Sequence, residues 1–249
     1  MNGNGNKYVS GAYHCTLGNK YLMKYKWLLF DADGTLFDYD KAEAAQLERT
    51  FRQLVGRFEP DYVEIYRRIN QRIWQEFEAG QIPLAVLKIK RFELLFEALR
   101  VEADPAAFSA RYLKNLGEGT DLIEGAQETV TALHGQIGLV VITNGLKEVQ
   151  TARLAKSGIG SYFAHVVISE EVGAAKPDRG IFDAAFDKMR RPRKEEVLII
   201  GDGLTSDIQG GHDYGIDTCW FNPARKPRDL DLPIRYEIAR LSDLLAIVG

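Results

Sequence analysis

The sequence predicts an α/β fold with a parallel sheet and a helical insertion. Five short apolar runs have the length of buried strands, the first being Trp27–Phe30, and helical patterns separate the later ones. Strands that alternate with helices are typical of a parallel sheet covered on both faces. At 249 residues the chain can form one large domain or a core with a smaller insertion.

The later elements follow in a regular order. Strands are predicted at residues 138–142, 165–168, 197–200 and 218–221. Helices are predicted at residues 126–133, 148–156, 181–189 and 206–214, where apolar residues recur at helical spacing.

Residues 39–118 have a different character, because apolar residues recur there at helical spacing and no comparable strand-like run occurs. Pro60, Gly80 with Pro83, and Pro105 supply breaks and starts for about four helices. This segment is therefore predicted to be a helical insertion.

We accordingly expect a catalytic core formed by residues 23–38 and 119–249 and a helical cap formed by residues 39–118. The linkers are expected near residues 37–40 and 117–125. Three aromatic side chains of the cap could contact a substrate, namely Trp74, Phe77 and Phe92. Aromatic residues on amphipathic helices more often fill a core.

Charge and cysteine content narrow the classes of function. The 32 Lys and Arg nearly balance the 35 Asp and Glu, which gives no broad electrostatic case for a nucleic-acid polymer or a membrane surface as partner. Cys15 and Cys219 are far apart and indicate neither a disulfide framework nor a zinc site. The sequence has no run of the ~18 apolar residues that a membrane span needs, so we expect a cytoplasmic protein. The balanced charge is compatible with a small-molecule substrate.

Residues 1–22 are rich in Gly, Asn and Tyr and precede Met23, a plausible natural start. We interpret them as a tag or a disordered extension. His14 and Cys15 lie in this stretch without a third ligand nearby, so we expect no metal site there.

Two carboxylates follow the first strand directly. Asp31 and Asp33 are one residue apart, and Gly34 allows the chain to turn sharply after them. The carboxyl ends of parallel strands face the crevice where open α/β sheets bind ligands. Two anions so close together favour a bound divalent cation or a raised pKa. An acidic turn with a purely conformational role is the alternative.

Polar residues also follow the later strands. Thr143 and Asn144 offer a hydroxyl and backbone N–H groups to an anion, or simply cap the next helix. Lys176, which precedes a proline, could neutralise a phosphate or lie solvated at the surface. Asp202 is a candidate metal ligand. Asp207 could orient a metal-bound water or add favourable charge at a helix N-terminus.

In order and placement, these strand-end motifs resemble those of haloacid dehalogenase (HAD) superfamily phosphatases. The matching residues are Asp31-x-Asp33-Gly34-Thr35, Ile142-Thr143-Asn144, Lys176-Pro177, and Gly201-Asp202 with Asp207. The resemblance covers Lys24 to the C-terminus. It implies a Rossmann-like core with a parallel sheet and an inserted helical cap of the C1 type.

The resemblance also implies a role for each residue at the predicted site. Asp31 would be the nucleophile that forms an aspartyl-phosphate, and Asp33 the general acid and base. Thr143, Asn144 and Lys176 would bind the phosphoryl oxygens.

The cofactor implied by the resemblance is Mg²⁺. Asp31, the Asp33 carbonyl and Asp202 would hold it, and Asp207 would orient a metal-bound water.

Asp33 favours a phosphatase over a dehalogenase, because dehalogenases that resemble this fold lack an acidic group at that position. A phosphomutase, which uses the same Asp pair, stays open. Phosphonate hydrolysis is less favoured, since neither Lys88 nor Lys90 can be assigned an imine-forming role from its position.

Three further segments are similar to the noncanonical pyrimidine 5′-nucleotidases: residues 30–37, 169–177 and 217–222. We therefore expect a Mg²⁺-dependent 5′-nucleotidase acting on nucleoside monophosphates. The alternatives are a phosphatase or phosphomutase for sugar phosphates or phosphoglycolate, and a regulator that binds a phosphometabolite without turnover. Gly34 departs from relatives with a bulkier acidic residue there, a difference expected to alter only the entrance.

Overall fold

A computed structural model describes residues 23–228 and 231–249. The predictions for residues 1–22, including His14 and Cys15, lie outside this part of the chain. The described residues contain a six-stranded sheet of order β3-β2-β1-β4-β5-β6 in which every neighbouring pair is parallel. The strands are β1 Trp27–Phe30, β2 Gly138–Thr143, β3 His165–Ile168, β4 Val197–Gly201, β5 Asp217–Phe221 and β6 Tyr236–Ile238. The predicted α/β fold with a parallel sheet is confirmed.

The described ranges also contain ten α-helices, nine between the strands and one after the last strand. They are α1 Tyr39–Leu54, α2 Asp61–Glu78, α3 Leu84–Leu99, α4 Pro105–Leu116, α5 Ala126–Leu133, α6 Lys147–Lys156, α7 Ser169–Val172, α8 Arg179–Lys188, α9 Gly210–Tyr214 and α10 Leu244–Val248. A π-helix, Leu204–Gln209, precedes α9. None of these helices combines the length and apolar character required to cross a membrane.

The sheet is buried on both faces, as its apolar runs predict. Successive side chains of a strand point to opposite faces. Accordingly, Leu28 and Phe30 pack with α5 and α10, whereas Leu29 packs with α8 on the other face. β1 is central, and its last residue, Phe30, aligns with Val141 of β2 and Ile200 of β4. The residues that follow these three strands therefore meet at one edge of the sheet.

Four helices, α1 to α4, lie between β1 and the rest of the sheet in sequence and bury a separate apolar cluster. We call them the cap helices. Asp38 caps α1 by accepting from Lys41 N, and Asp104 caps α4 by accepting from Ala106 N. Phe92 is fully buried in this cluster and fills the core of the cap. The division of the chain into two domains stays a prediction.

Candidate active site

The turn after β1 places Asp31 at the edge of the sheet. The backbone N–H of Asp31 donates to Ile200 O at 2.9 Å, so the residue is still tied to β4. Gly34 has a φ of 83° in the following turn. A Cβ on Gly34 would lie 2.6 Å from Asp202 Oδ2. A larger residue would therefore require Asp202 to move, rather than altering only the entrance as expected.

Lys176 is buried and joins two of the carboxylates. Its Nζ donates to Asp31 Oδ1 at 2.5 Å, to Asp207 Oδ1 at 2.6 Å and to Ile142 O at 2.9 Å. Burial alone would lower the pKa of Lys176, but Asp207 and Asp31 outweigh it and raise that pKa. Lys176 is thus a charged group held at the predicted nucleophile, not a solvated surface lysine.

Asn144 fixes the backbone of Lys176 with two hydrogen bonds. Asn144 Oδ1 accepts from Lys176 N at 2.7 Å, and Asn144 Nδ2 donates to Lys176 O at 2.9 Å. The same Nδ2 donates to Glu78 Oε1 of α2 at 3.1 Å. Because the side chain of Asn144 is occupied in this way, its backbone N–H is the group left to bind a phosphate.

Thr143 ends β2 and is almost fully buried. Its Oγ1 accepts from Gly145 N at 3.0 Å in the turn that follows β2. The next helix, α6, has Leu146 as its N-cap and no side-chain cap, so the capping role that the sequence offered as an alternative is wrong. A hydroxyl that accepts one hydrogen bond can still donate another. This turn hydrogen bond is therefore compatible with a second bond from Thr143 to a phosphate.

Asp31, Asp202 and Asp207 form an acidic cluster with one carboxylate oxygen from each within 4.8 Å of the others. Three carboxylates against one ammonium, that of Lys176, leave two negative charges uncompensated. Asp202 as a residue is exposed, but desolvation of its carboxylate within the cluster, and then Asp207, raise its pKa to about 6. Burial and the other two carboxylates also raise the pKa of Asp31, against the opposing effect of Lys176.

This donor set fits a divalent cation that prefers oxygen ligands, such as Mg²⁺. Asp207 already has two protein partners, because Gly203 N donates to its Oδ2 at 3.0 Å and Lys176 binds its Oδ1. Asp31 and Asp202 are therefore the better placed candidates for direct ligands. Asp33 does not join the cluster through its side chain, and its predicted contribution is the backbone carbonyl.

The carboxylate of Asp33 is bound by α6. Gln150 Nε2 donates to Asp33 Oδ2 at 2.6 Å, and the Arg153 guanidinium forms an ion pair with Oδ1. Gln150 and Arg153 are fully buried. The sequence analysis missed both, since they lie on an amphipathic helix with no motif to mark them.

A cavity of about 350 Å³ opens above Lys176 and the acidic cluster, and α2 of the cap forms its other wall. The side chains from α2 share one helical face: Asn70, Gln71, Trp74, Gln75 and Glu78. Of the three aromatic candidates, Trp74 lines this cavity, whereas Phe77 lines a neighbouring cleft and Phe92 is in the cap core.

The two cap lysines considered for imine chemistry do not line this cavity. Lys88 forms an ion pair with Glu170, and Lys90 forms one with Glu76, each at 2.8 Å. Burial raises the pKa of Glu78, which faces the cavity and binds Asn144.

Comparison with known proteins agrees with this architecture. A family model for haloacid dehalogenase-like hydrolases matches residues 25–215. The HAD-hydrolase YfnB of Bacillus subtilis is 37% identical over 92% of this chain and 97% of its own. Its crystal structure, bound to magnesium and showing interdomain movement, has a TM-score of 0.86 over 91% of this chain and 99% of that one.

Two further relatives are pyrimidine 5′-nucleotidases. YjjG of Escherichia coli is 34% identical over 89% of this chain and 97% of its own. PynA of Streptococcus pneumoniae is 35% identical over 90% of this chain and 94% of its own. Because the family model and these alignments span most of the sequence, the chain belongs to the haloacid dehalogenase-like hydrolase family.

Proposed function

We propose that this protein is a Mg²⁺-dependent phosphomonoester hydrolase that acts on nucleoside monophosphates, with pyrimidine nucleotides as the preferred substrates. The observation that carries the proposal is the buried contact of Lys176 with Asp31, at the floor of a cavity whose other wall presents Trp74 and side-chain amides. Lys176 supplies positive charge beside the attacking carboxylate, where the phosphoryl oxygens would lie.

The first step transfers the phosphoryl group to the protein. An oxygen of Asp31 attacks phosphorus, the bond from phosphorus to the ester oxygen breaks, and Asp33 gives a proton to the departing alkoxide. Water then attacks the phosphorus of the aspartyl-phosphate and gives a proton to Asp33. Inorganic phosphate leaves, and the Asp31 carboxylate is restored.

The Mg²⁺ ion would be held by Asp31, the Asp33 carbonyl and Asp202, with Asp207 beside it. When bound, it supplies charge neutralisation between the anionic nucleophile and the anionic substrate. Lys176 and the N–H groups after β2 orient the phosphate in line with Asp31. Thr143 can donate its hydroxyl hydrogen to a phosphate oxygen.

The lining of the cavity favours a substrate with a single phosphate and an uncharged leaving group. Among the lining residues in the described part of the chain, Lys176 is the one Lys or Arg. Trp74 offers a ring on which a base can stack, and the amides of Gln71 and Gln75 can pair with the polar edge of a base. The nucleotidase activity of two relatives supports the same substrate class.

The same lining argues against the alternatives. A phosphomutase acceptor is itself a phosphate ester, and phosphoglycolate carries a carboxylate, so each brings a second anionic group into the cavity. A second anion would face Glu78 without a second cation among the lining residues. A regulator without turnover would not require Asp33 beside the nucleophile.

Phosphate release from a panel of substrates tests the proposal. The panel contains pyrimidine and purine nucleoside monophosphates, sugar phosphates and phosphoglycolate, each with Mg²⁺ and with excess chelator. We expect turnover of the pyrimidine nucleotides with Mg²⁺ only and its loss in Asp31→Asn. Asp187→Asn, a matched change at an exposed position of α8, should retain activity. Full activity of Asp31→Asn would refute the mechanism, and turnover of sugar phosphates alone would refute the nucleotide assignment.

The role of the cap wall has its own test. Trp74→Ala should raise KM for nucleoside monophosphates several-fold and leave KM for a small alkyl phosphate nearly unchanged, because only the former has a base to stack. Equal changes in the two KM values would show that Trp74 does not recognise the leaving group.

A further inference from the structure

Both oxygens of the Asp33 carboxylate are bound by one helix of the core. Gln150 Nε2 lies 2.6 Å from Oδ2, and the Arg153 guanidinium binds Oδ1. A general acid must aim an oxygen at the leaving group. Asp33 must therefore exchange at least one of these bonds for one to the substrate, and α6 determines how readily it does so.

Arg153 also contacts the two segments that join the cap helices to the core. Its Nε donates to Gly119 O at 2.8 Å, just after α4. Its guanidinium carbon lies 4.3 Å from the centroid of the Phe37 ring, just before α1. One buried side chain thus contacts the predicted acid and both linkers.

The two linkers are bound to each other at this point. Asp38 N donates to Asp121 O at 3.0 Å, and Ile123 N donates to Leu36 O at 2.9 Å. A movement of the cap would shift these segments together, and Arg153 lies against both of them. The guanidinium would then move relative to Asp33.

The hydrogen bonding of this cluster is incomplete. Among the described residues, Arg153 Nη2 and Gln150 Oε1 are buried without a partner. Buried polar groups are nearly always paired, and leaving one unpaired costs free energy. A spare donor and a spare acceptor beside Asp33 are expected if the partners of this cluster change during the reaction.

We propose that Gln150 and Arg153 are positioning residues for Asp33, and that Arg153 makes the position of Asp33 depend on the two cap linkers. This inference rests on the proposed function, specifically on Asp33 as the acid. The two side chains act through Asp33 and do not touch the substrate.

Comparing two leaving groups separates positioning of the acid from a general loss of stability, which would affect both substrates equally. A nucleoside leaves as a basic alkoxide and needs a proton, whereas p-nitrophenolate is a weak base and leaves without one. We expect Gln150→Met and Arg153→Lys to lower kcat/KM by about 10–100-fold for a nucleoside monophosphate. This is less than the factor of about 10²–10⁴ that general acid catalysis contributes, because Asp33 itself is retained. The loss for p-nitrophenyl phosphate should be several-fold at most.

Arg179→Lys, at an exposed site on α8, is the matched control and should leave both substrates unchanged. Gln150→Met keeps the size of the side chain and touches neither linker, so it tests the proposal even if Arg153→Lys fails to fold. Equal losses on both substrates, or no loss, in Gln150→Met would overturn the positioning role.

Phe37→Leu tests the link to the cap, because it removes the ring beneath Arg153 and leaves the backbone bridge between Phe37 and Asp33 in place. It should show the same selective loss on the nucleotide. If Phe37→Leu matches wild type while Gln150→Met shows the loss, the dependence on the linkers is wrong.

Asp33→Asn separates this inference from the proposed function. If Asp33→Asn shows the selective loss but Gln150→Met and Arg153→Lys do not, Asp33 is the acid and α6 does not position it. If wild type hydrolyses neither substrate, or Asp33→Asn shows no selective loss, the proposed function or the role of Asp33 fails first.

Discussion

Replacing Lys176 with Met removes the cation that joins two carboxylates of the site. Met retains an unbranched side chain of similar length, so the cavity left behind is small. Asp31 and Asp207 lose their partner, and the carbonyl of Ile142 loses its donor. The variant therefore isolates the electrostatic contribution of the ammonium group.

The geometry sets the size of the effect. Removing one partner of a buried ion pair costs about 3–5 kcal/mol, because the remaining charge is buried and unpaired. Lys176 serves two carboxylates, at 2.5 and 2.6 Å, and its side chain is 1% exposed. In a protein of this size about 1 kcal/mol shifts Tm by about 2–4 °C. We expect Lys176→Met to lower Tm by about 6–20 °C in the absence of Mg²⁺.

The loss should depend on pH. Burial raises the pKa of Asp31, and desolvation of the carboxylate brings that of Asp202 to about 6, so the folded state favours the protonated forms of both groups. At pH 5 a proton can replace part of the missing charge, whereas at pH 8 all three carboxylates repel one another. The Tm difference between Lys176→Met and wild type should therefore be larger at pH 8.

Thermal unfolding followed by circular dichroism, with chelator at pH 5 and pH 8, measures these differences. Lys188→Met, at an exposed site on α8, is the control and should change Tm little. Adding Asp207→Asn to Lys176→Met should restore part of the loss, since one unpaired charge is removed. A Tm for Lys176→Met within about 2 °C of wild type at pH 8 would refute the reasoning, as this is the effect of only about 1 kcal/mol.

Three further predictions follow from other contacts. Mg²⁺ at about 100 times its Kd should stabilise the fold by about 2.7 kcal/mol and so raise Tm by about 5–10 °C at pH 8. This gain should shrink in Asp202→Asn, and equal Tm values with and without Mg²⁺ would contradict the metal site. Glu78 has a pKa raised by burial, so it becomes anionic as pH rises and should then repel a phosphate. Glu78→Gln should lower KM for a nucleoside monophosphate more at pH 8 than at pH 5, and a KM ratio independent of pH would exclude this repulsion. Finally, a Cβ on Gly160 would lie 2.3 Å from the backbone oxygen of Leu154. Gly160→Ala should thus lower Tm while leaving KM unchanged, whereas an unaltered Tm would show that the backbone adjusts freely.

The strands and the residues at their ends could be predicted from the sequence because both depend on local patterns and topology. Buried strands of a parallel sheet are apolar along their whole length, and their carboxyl ends lie at one edge. These patterns predict one site for Asp31, Lys176, Asp202 and Asp207, and the structure places the four residues in contact or within one acidic cluster. The sixth strand, Tyr236–Ile238, was missed because three residues carry too little pattern.

Other parts of the site could not be predicted in this way. Gln150 and Arg153 bind a carboxylate 117 and 120 residues away in the chain. On a helix such residues look like any polar positions of an amphipathic surface. The same holds for the face of α2 that carries Trp74 and Glu78, since a helical pattern shows which residues share a face but not what that face meets.

Five of the six strands, the helical segment after β1 and the motif residues that follow β1, β2 and β4 can be predicted from the sequence, because periodicity and short-range order specify these features. The tertiary structure alone decided that Asn144 holds the backbone of Lys176, that α2 closes the cavity, and that Arg153 joins Asp33 to both linkers. These contacts depend on how the cap helices and α6 pack against the core. That packing depends on the complementarity of surfaces formed by residues distant in the sequence, so it cannot be predicted from a local sequence pattern.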